Sequence, residues 1–80
     1  MFTVYALYSE KFNKIYVGYT SNIEQRLLAH NELETKGYTL RYRPWKLVHS
    51  ENFKDKASAM KREKELKSAK GREFIWNIIG

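Results

Sequence analysis

Along these 80 residues the spacing of apolar positions changes several times, and each change marks an element. Phe2 to Tyr8 is β-branched and aromatic almost throughout and predicts a strand. Ser9 to Lys14 is largely polar, with Asn13 as a turn residue, and Ile15 to Tyr19 predicts a second strand, so the two make an antiparallel hairpin. Ser21-Asn22-Ile23-Glu24 has the capping-box spacing, with the glutamate three residues after the serine. It predicts a helix from Asn22 to Thr35, stopped by Gly37. Tyr38 to Arg43 reads as a loop. Pro44 has no amide hydrogen for a ladder and suits the start of a strand, in which Trp45, Leu47 and His49 alternate with Lys46, Val48 and Ser50. Asp55 caps a second helix that runs to Ala69; Gly71 breaks it, and Glu73 to Ile79 reads as a short third helix. The order β-β-α-β-α-α predicts an α+β fold, a three-stranded antiparallel sheet flanked by helices. The length allows one core, and residues 1–80 read as a single domain.

Composition narrows the classes. Apolar residues make up 42% and aromatics 15%, too many for a disordered chain. Cysteine is absent, which rules out disulfides and thiolate zinc sites. No run approaches the roughly 18 apolar residues of a membrane span. The start, Met1-Phe2-Thr3-Val4-Tyr5, lacks the basic opening of a signal peptide, so a cytoplasmic protein is expected. Charge adds more. Lys and Arg number 15 against nine Asp and Glu, a net of +6. The first 40 residues are neutral, so the excess sits in residues 41–72, at +7. Such a basic half fits a polyanionic partner, and fits equally a solvated lysine-rich helix face.

Three groups of side chains stand out. In the second helix Glu63 falls in the middle of the apolar stripe of Ala59, Met60 and Leu66, whereas Glu65 falls well off it. A carboxylate aimed into an apolar face needs a compensating partner: a nearby lysine, or a metal ion in a cleft. In the first helix Arg26 and His30 form an i, i+4 pair on the shoulder of the stripe set by Ile23 and Leu27. They read as a boundary arginine and a half-buried histidine, or as a guanidinium and an imidazole lining a groove. The segment Tyr38-Thr39-Leu40-Arg41-Tyr42-Arg43 interleaves aromatic rings with arginines, a mixture suited to stacking bases and pairing phosphates.

Taken in order, these residues resemble the GIY-YIG nuclease superfamily. Thr3-Val4-Tyr5 and Tyr16-Val17-Gly18 resemble its paired motif, with Thr3 where the first glycine would stand. Arg26 and His30-Asn31 resemble its helix, Arg62-Glu63-Lys64-Glu65-Leu66-Lys67 its metal-binding glutamate helix, and Asn77 the asparagine near the end of many members. The resemblance is to the short stand-alone bacterial members, and it covers nearly the whole chain. It implies a metal-dependent DNA endonuclease in which Glu63 holds one divalent ion, magnesium or manganese. Arg26 would stabilise the pentavalent transition state, and Tyr5, Tyr16 or His30 would serve the attacking water. Gly18 and Asn77 would support the site. Arg41, Tyr42, Arg43, Lys46, Lys61 and Arg62 would bind nucleic acid, with branched or single-stranded DNA as substrate. A specificity-providing protein partner is compatible with the missing DNA-binding domain, as is a monomer or weak dimer. The alternatives are a non-catalytic nucleic-acid-binding module of the same fold and a structural interaction protein.

The charge asymmetry generates a prediction of its own. DNA affinity is expected to fall steeply as salt rises, with log affinity linear in log salt concentration, because each phosphate neutralised releases counterions. A titration of fluorescent oligonucleotide across salt concentrations measures the slope, and a slope near zero would remove the charge argument.

Overall fold

The computed structural model describes residues 1–33 and 37–80. Strands β1 (Phe2–Ser9) and β2 (Lys14–Thr20) pair antiparallel from Thr3↔Thr20 to Ser9↔Lys14. Asn13 makes the connection with φ of 54°, a backbone region asparagine tolerates, and its Oδ1 accepts from the Tyr8 hydroxyl at 3.0 Å. Strand β3 (Lys46–Phe53) pairs antiparallel with the other edge of β1, giving the order β2-β1-β3. The α+β fold and the element order match the reading of the sequence.

Because β1 is central, both of its faces are covered, and strand alternation sorts its side chains between them. Val4 and Ala6, with Ile15 and Val17 of β2, pack against Ala59, Leu66 and Ile75 from helices α3 (Lys56–Lys67) and α4 (Ala69–Ile79), which follow β3. Tyr5 and Leu7 face the other way, onto Trp45, Tyr16, Tyr42 and the residues Ile23 and Leu27 of α1 (Ile23–Leu28). Complete burial of a side chain such as Leu66 or Ile75 contributes about 1.5–3 kcal/mol.

Several boundaries differ from the sequence reading, each for a local reason. The first helix is capped by Asn22, not Ser21: Asn22 Oδ1 accepts from the Gln25 amide at 3.1 Å. After Leu28 the helix widens into a π-helical run, Ala29–Leu33, and its expected end at Thr35 lies outside the described residues. Tyr38 to Arg43 is not all loop, since Tyr38–Arg41 forms the short helix α2. Trp45 precedes β3 instead of opening it. A bulge between Ala6↔His49 and Leu7↔Leu47 breaks the expected alternation of Trp45, Leu47 and His49. As a result Val48 packs on the core and Leu47 is 38% exposed. Met60, assigned to the apolar stripe of α3, is 41% exposed.

Gly71 does not end the second long helix, α3; Ser68 does. The Ser68 hydroxyl donates to the Glu65 carbonyl at 2.6 Å and accepts from the Gly71 amide at 3.2 Å, ending α3 and capping α4. Gly71 is instead a packing residue. A Cβ there would lie 2.2 Å from the Glu65 carbonyl oxygen and 2.4 Å from Leu66 Cα, both backbone atoms of α3 that a side-chain rotation cannot move. Gly71→Ala is therefore expected to cost about 1–3 kcal/mol, a fall in Tm of roughly 4–20 °C for a chain of this size. Thermal unfolding followed by circular dichroism measures it, and an unchanged Tm would show that the α3–α4 corner is free to open.

Candidate active site

Tyr5 sits at the middle of the central strand, 1% exposed, directly opposite Gly18 of β2. The absent side chain at 18 makes room for the ring. A Cβ there would stand 2.7 Å from the Tyr5 hydroxyl oxygen and 3.2 Å from Tyr16 Cε2. The phenol thus occupies the space that any other residue at 18 would fill. Its hydroxyl lies 2.8 Å from His30 Nε2 and is also hydrogen-bonded by the Arg26 guanidinium. Arg26 can only donate, so the phenol oxygen accepts from it, and the direction of the Tyr5–His30 hydrogen bond follows the tautomer of the imidazole. Burial raises the Tyr5 pKa to about 12; Arg26 opposes the shift and loses, while Tyr16 and the Glu63 carboxylate add to it. Tyr5 is accordingly a protonated phenol at neutral pH.

His30 is more enclosed than its helix position suggests. It is 1% exposed, not half-buried, because the π-helical run carries it inward beneath the two tyrosines. The Tyr16 ring meets it edge-on at 4.9 Å, and the Tyr5 ring is 5.8 Å away. Tyr16 itself is half-buried and borders a cleft of about 360 Å³ at the β2 edge of the sheet, lined by Ile15, Tyr16, Val17, Tyr38, Lys67 and Arg72. Glu63 approaches from α3. Its side chain is 19% exposed, its Oε2 lies 3.5 Å from Lys67 Nζ one turn on, and its charge reaches Tyr5. Tyr5, Tyr16, Arg26, His30 and Glu63, taken from β1, β2, α1, the π-helical run and α3, therefore gather in one neighbourhood, with Gly18 beneath them.

The expected nucleic-acid contacts are scattered. Arg41 is exposed over the Tyr42 ring at 5.7 Å, and Tyr42 packs into the second core. Arg43 turns inward: Nε donates to the His30 carbonyl and Nη2 to the Ala29 carbonyl at 3.1 Å. It thereby satisfies acceptors of the π-helical run. Arg62 is held on Glu51 and Glu65, with Nε 3.0 Å from Glu51 Oε1 and Nη1 3.2 Å from Glu65 Oε1. Lys46 borders a different groove, beside Tyr8 and Ile78, and Lys61 is exposed on α3. Asn77 is exposed on α4 and joins none of these contacts. Sequence reasoning passed over Lys67 and Arg72, which were two cations among many in the basic half, and named Tyr38 only as one aromatic of a segment suited to stacking bases.

The sequence pattern of the GIY-YIG catalytic domain matches residues 1–76. This chain belongs to the GIY-YIG superfamily. A UPF0213 protein of Staphylococcus haemolyticus is 45% identical over 58 residues, covering 72% of this chain and 71% of that protein. A UPF0213 protein of Natronomonas pharaonis is 46% identical over 54 residues, covering 68% of this chain and 64% of the relative. A third, from Bacillus velezensis, is 39% identical over 66 residues, covering 79% and 67%. The chain thus spans about two thirds of the length of these relatives.

In this GIY-YIG domain the Tyr5 phenol leaves a signature at high pH. A phenol whose folded pKa is raised from 10.0 to about 12 is stabilised by the fold in its protonated form. Its contribution is whole below pH 10 and is lost as pH rises from about 10 to about 12, where the unfolded chain holds fewer protons. Ultraviolet titration is expected to show one of the six tyrosines ionising near the top of that window, and denaturant midpoints to fall across it. Tyr5→Phe is expected to remove that late phase, and a late phase that survives the substitution belongs to another tyrosine.

Proposed function

We propose that this domain hydrolyses DNA phosphodiester bonds, using one divalent cation held by Glu63. The observation that carries the reading is the convergence of Arg26 and a buried Tyr5–His30 hydrogen bond beside Tyr16, which borders the cleft, with the Glu63 charge felt at Tyr5. Family membership supports nuclease chemistry, and the basic half supports a polyanionic substrate.

The donor set can be tested against the ion. Among the described residues no group of three or more His, Cys, Asp or Glu side chains could enclose a metal. That arrangement suits neither a closed zinc site nor a calcium cage. It suits magnesium or manganese, which bind through one or two carboxylates, retain water and complete their shell on substrate phosphate. When bound, such an ion supplies Lewis-acid polarisation of the phosphoryl group and stabilises the leaving oxygen.

The protein's own groups divide the remaining work. Arg26 presents a permanent cation to the phosphoryl oxygens, where negative charge concentrates in the transition state. Tyr16, at the cleft, accepts a hydrogen bond from the attacking water and directs it at phosphorus; as the new P–O bond forms and the P–O bond to the leaving strand breaks, the water's proton passes to solvent at the open cleft and the leaving oxygen takes one from solvent. Tyr5 retains its proton and acts as a positioning residue: it fixes His30, and His30 supports the Tyr16 ring edge-on. His30 is too enclosed to meet the water directly and acts through the phenols.

A second reading has its own observation. Lys67 already neutralises Glu63 at 3.5 Å, as befits a nucleic-acid-binding module that needs no metal. One experiment separates the two. Purified protein and Glu63→Gln are incubated with branched and single-stranded DNA, with magnesium or with a chelator, and nicks are counted. Glu63→Gln is expected to remain folded within a few degrees of Tm, since an exposed lysine is its partner and such pairs contribute about 0–1 kcal/mol. Cleavage is expected to fall at least about a hundredfold, while DNA binding holds. Undiminished magnesium-dependent cleavage by Glu63→Gln rejects the metal assignment, and no cleavage by the unmodified protein favours the binding module.

A further inference from the structure

The Tyr38 ring has no evident task in the hydrolysis above, yet it is held firmly and left open. It lies 6.2 Å from the Tyr16 ring at an interplanar angle of 28°, a stacked pair, and 6.0 Å from Trp45 at 32°. Tyr42 supports it from another side at 4.8 Å. With three aromatic neighbours, Tyr38 is still 46% exposed. A large ring that is anchored and half open is a prepared stacking surface, because its orientation is fixed before anything binds.

The charged residues that line the cleft are both cations, one of which, Lys67, also pairs with Glu63 Oε2 at 3.5 Å. Lys67 and Arg72 line the cleft together with Tyr16 and Tyr38. The Lys67 side chain is 53% exposed, and the charge of Arg72 is felt at the Tyr38 hydroxyl. An aromatic plane flanked by two cations matches one kind of group, a flat ring joined to phosphates. A base within a duplex has both faces stacked and cannot offer one to Tyr38, whereas an unpaired base can.

We infer that this cleft is a binding site for one unpaired nucleotide of a DNA strand, with the base stacked on Tyr38 and the adjacent phosphates on Lys67 and Arg72. The inference rests on the phosphodiesterase reading for its substrate and deepens it. Tyr16 borders the same cleft, so the phosphate beside the stacked base is the one delivered to the hydrolytic groups.

Binding measured in chelator, where no hydrolysis occurs, tests the site separately from the chemistry. The probes are a fluorescent thymidine oligonucleotide, the same strand with abasic residues, a blunt duplex with equal phosphate count and the matching ribo-oligonucleotide. The intact protein is expected to bind the thymidine strand about tenfold more tightly than the abasic strand or the duplex. Tyr38→Ala is expected to erase that preference by weakening the thymidine strand alone; Tyr38→Phe, which keeps the plane and its packing, is expected to retain it. Arg72→Ala is expected to weaken all three DNA probes and to shallow the salt slope by about one phosphate's worth. Should Tyr38→Ala remain folded by circular dichroism and keep the full preference, or should duplex bind as tightly as single strand, the stacking site is rejected. A tenfold preference for the ribo-oligonucleotide rejects DNA as its source. Failure of cleavage with the base preference intact would instead reject the hydrolytic reading and leave this site standing.

Discussion

The arrangement depends on one steric trade within the sheet. Tyr5 lies on the buried central strand, and its phenol occupies the volume that Gly18 vacates on the next strand. The side chains of the candidate site are arranged around that ring. Its hydroxyl fixes His30 at 2.8 Å and receives Arg26, and its edge neighbours Tyr16. A buried phenol is tolerable because its polar end is hydrogen-bonded, and the same burial keeps it protonated. The constraint is both a packing solution and a chemical assignment, since a phenol held near pKa 12 positions other groups and does not take protons at neutral pH.

A second device brings His30 to that ring. A regular α-helix would leave it on a shoulder; the π-helical run of Ala29–Leu33 moves it into the interior. Such widened turns are costly because they strain the hydrogen-bond ladder, and they persist where neighbours satisfy the carbonyls. Arg43 does so at Ala29 and His30, while Asn31 clamps the Trp45 backbone, accepting from its amide at 2.7 Å and donating to its carbonyl at 3.2 Å. Residues that look like a basic surface in the sequence thus hold the imidazole in place from behind.

Electrostatics completes the division of labour between the two sides of the sheet. Over β3, Glu51 gathers Arg62 and His49, and its carboxyl is held below the usual range by them in spite of its partial burial. That network is internally neutralised and ties β3 to α3. At the β2 edge the balance is different: Glu63 is the acidic partner of Lys67, and Arg72 adds positive charge to the same cleft. Two cations, Lys67 and Arg72, therefore line the cleft that Tyr16 and Tyr38 border.

Much of this was legible without coordinates. The β-branched and aromatic run of Phe2–Tyr8, the second strand at Ile15–Tyr19, the Asp55 cap and the glutamate on an apolar stripe follow from local composition, local periods and local hydrogen bonds, which a sequence states directly. The motif residues Tyr5, Tyr16, Gly18, Arg26, His30 and Glu63 could be named because their order along the chain resembles the GIY-YIG superfamily. What the sequence could not express were contacts between elements. The bulge that turns Val48 inward depends on β1, the role of Gly71 depends on the backbone of α3, and the inward turn of Arg43 depends on carbonyls fourteen residues before it. Lys67, Arg72 and Tyr38 share no period, so only the meeting of α3, α4, α2 and the β2 edge made them one cleft. Local chemistry determined which residues could act; long-range packing decided which of them face each other.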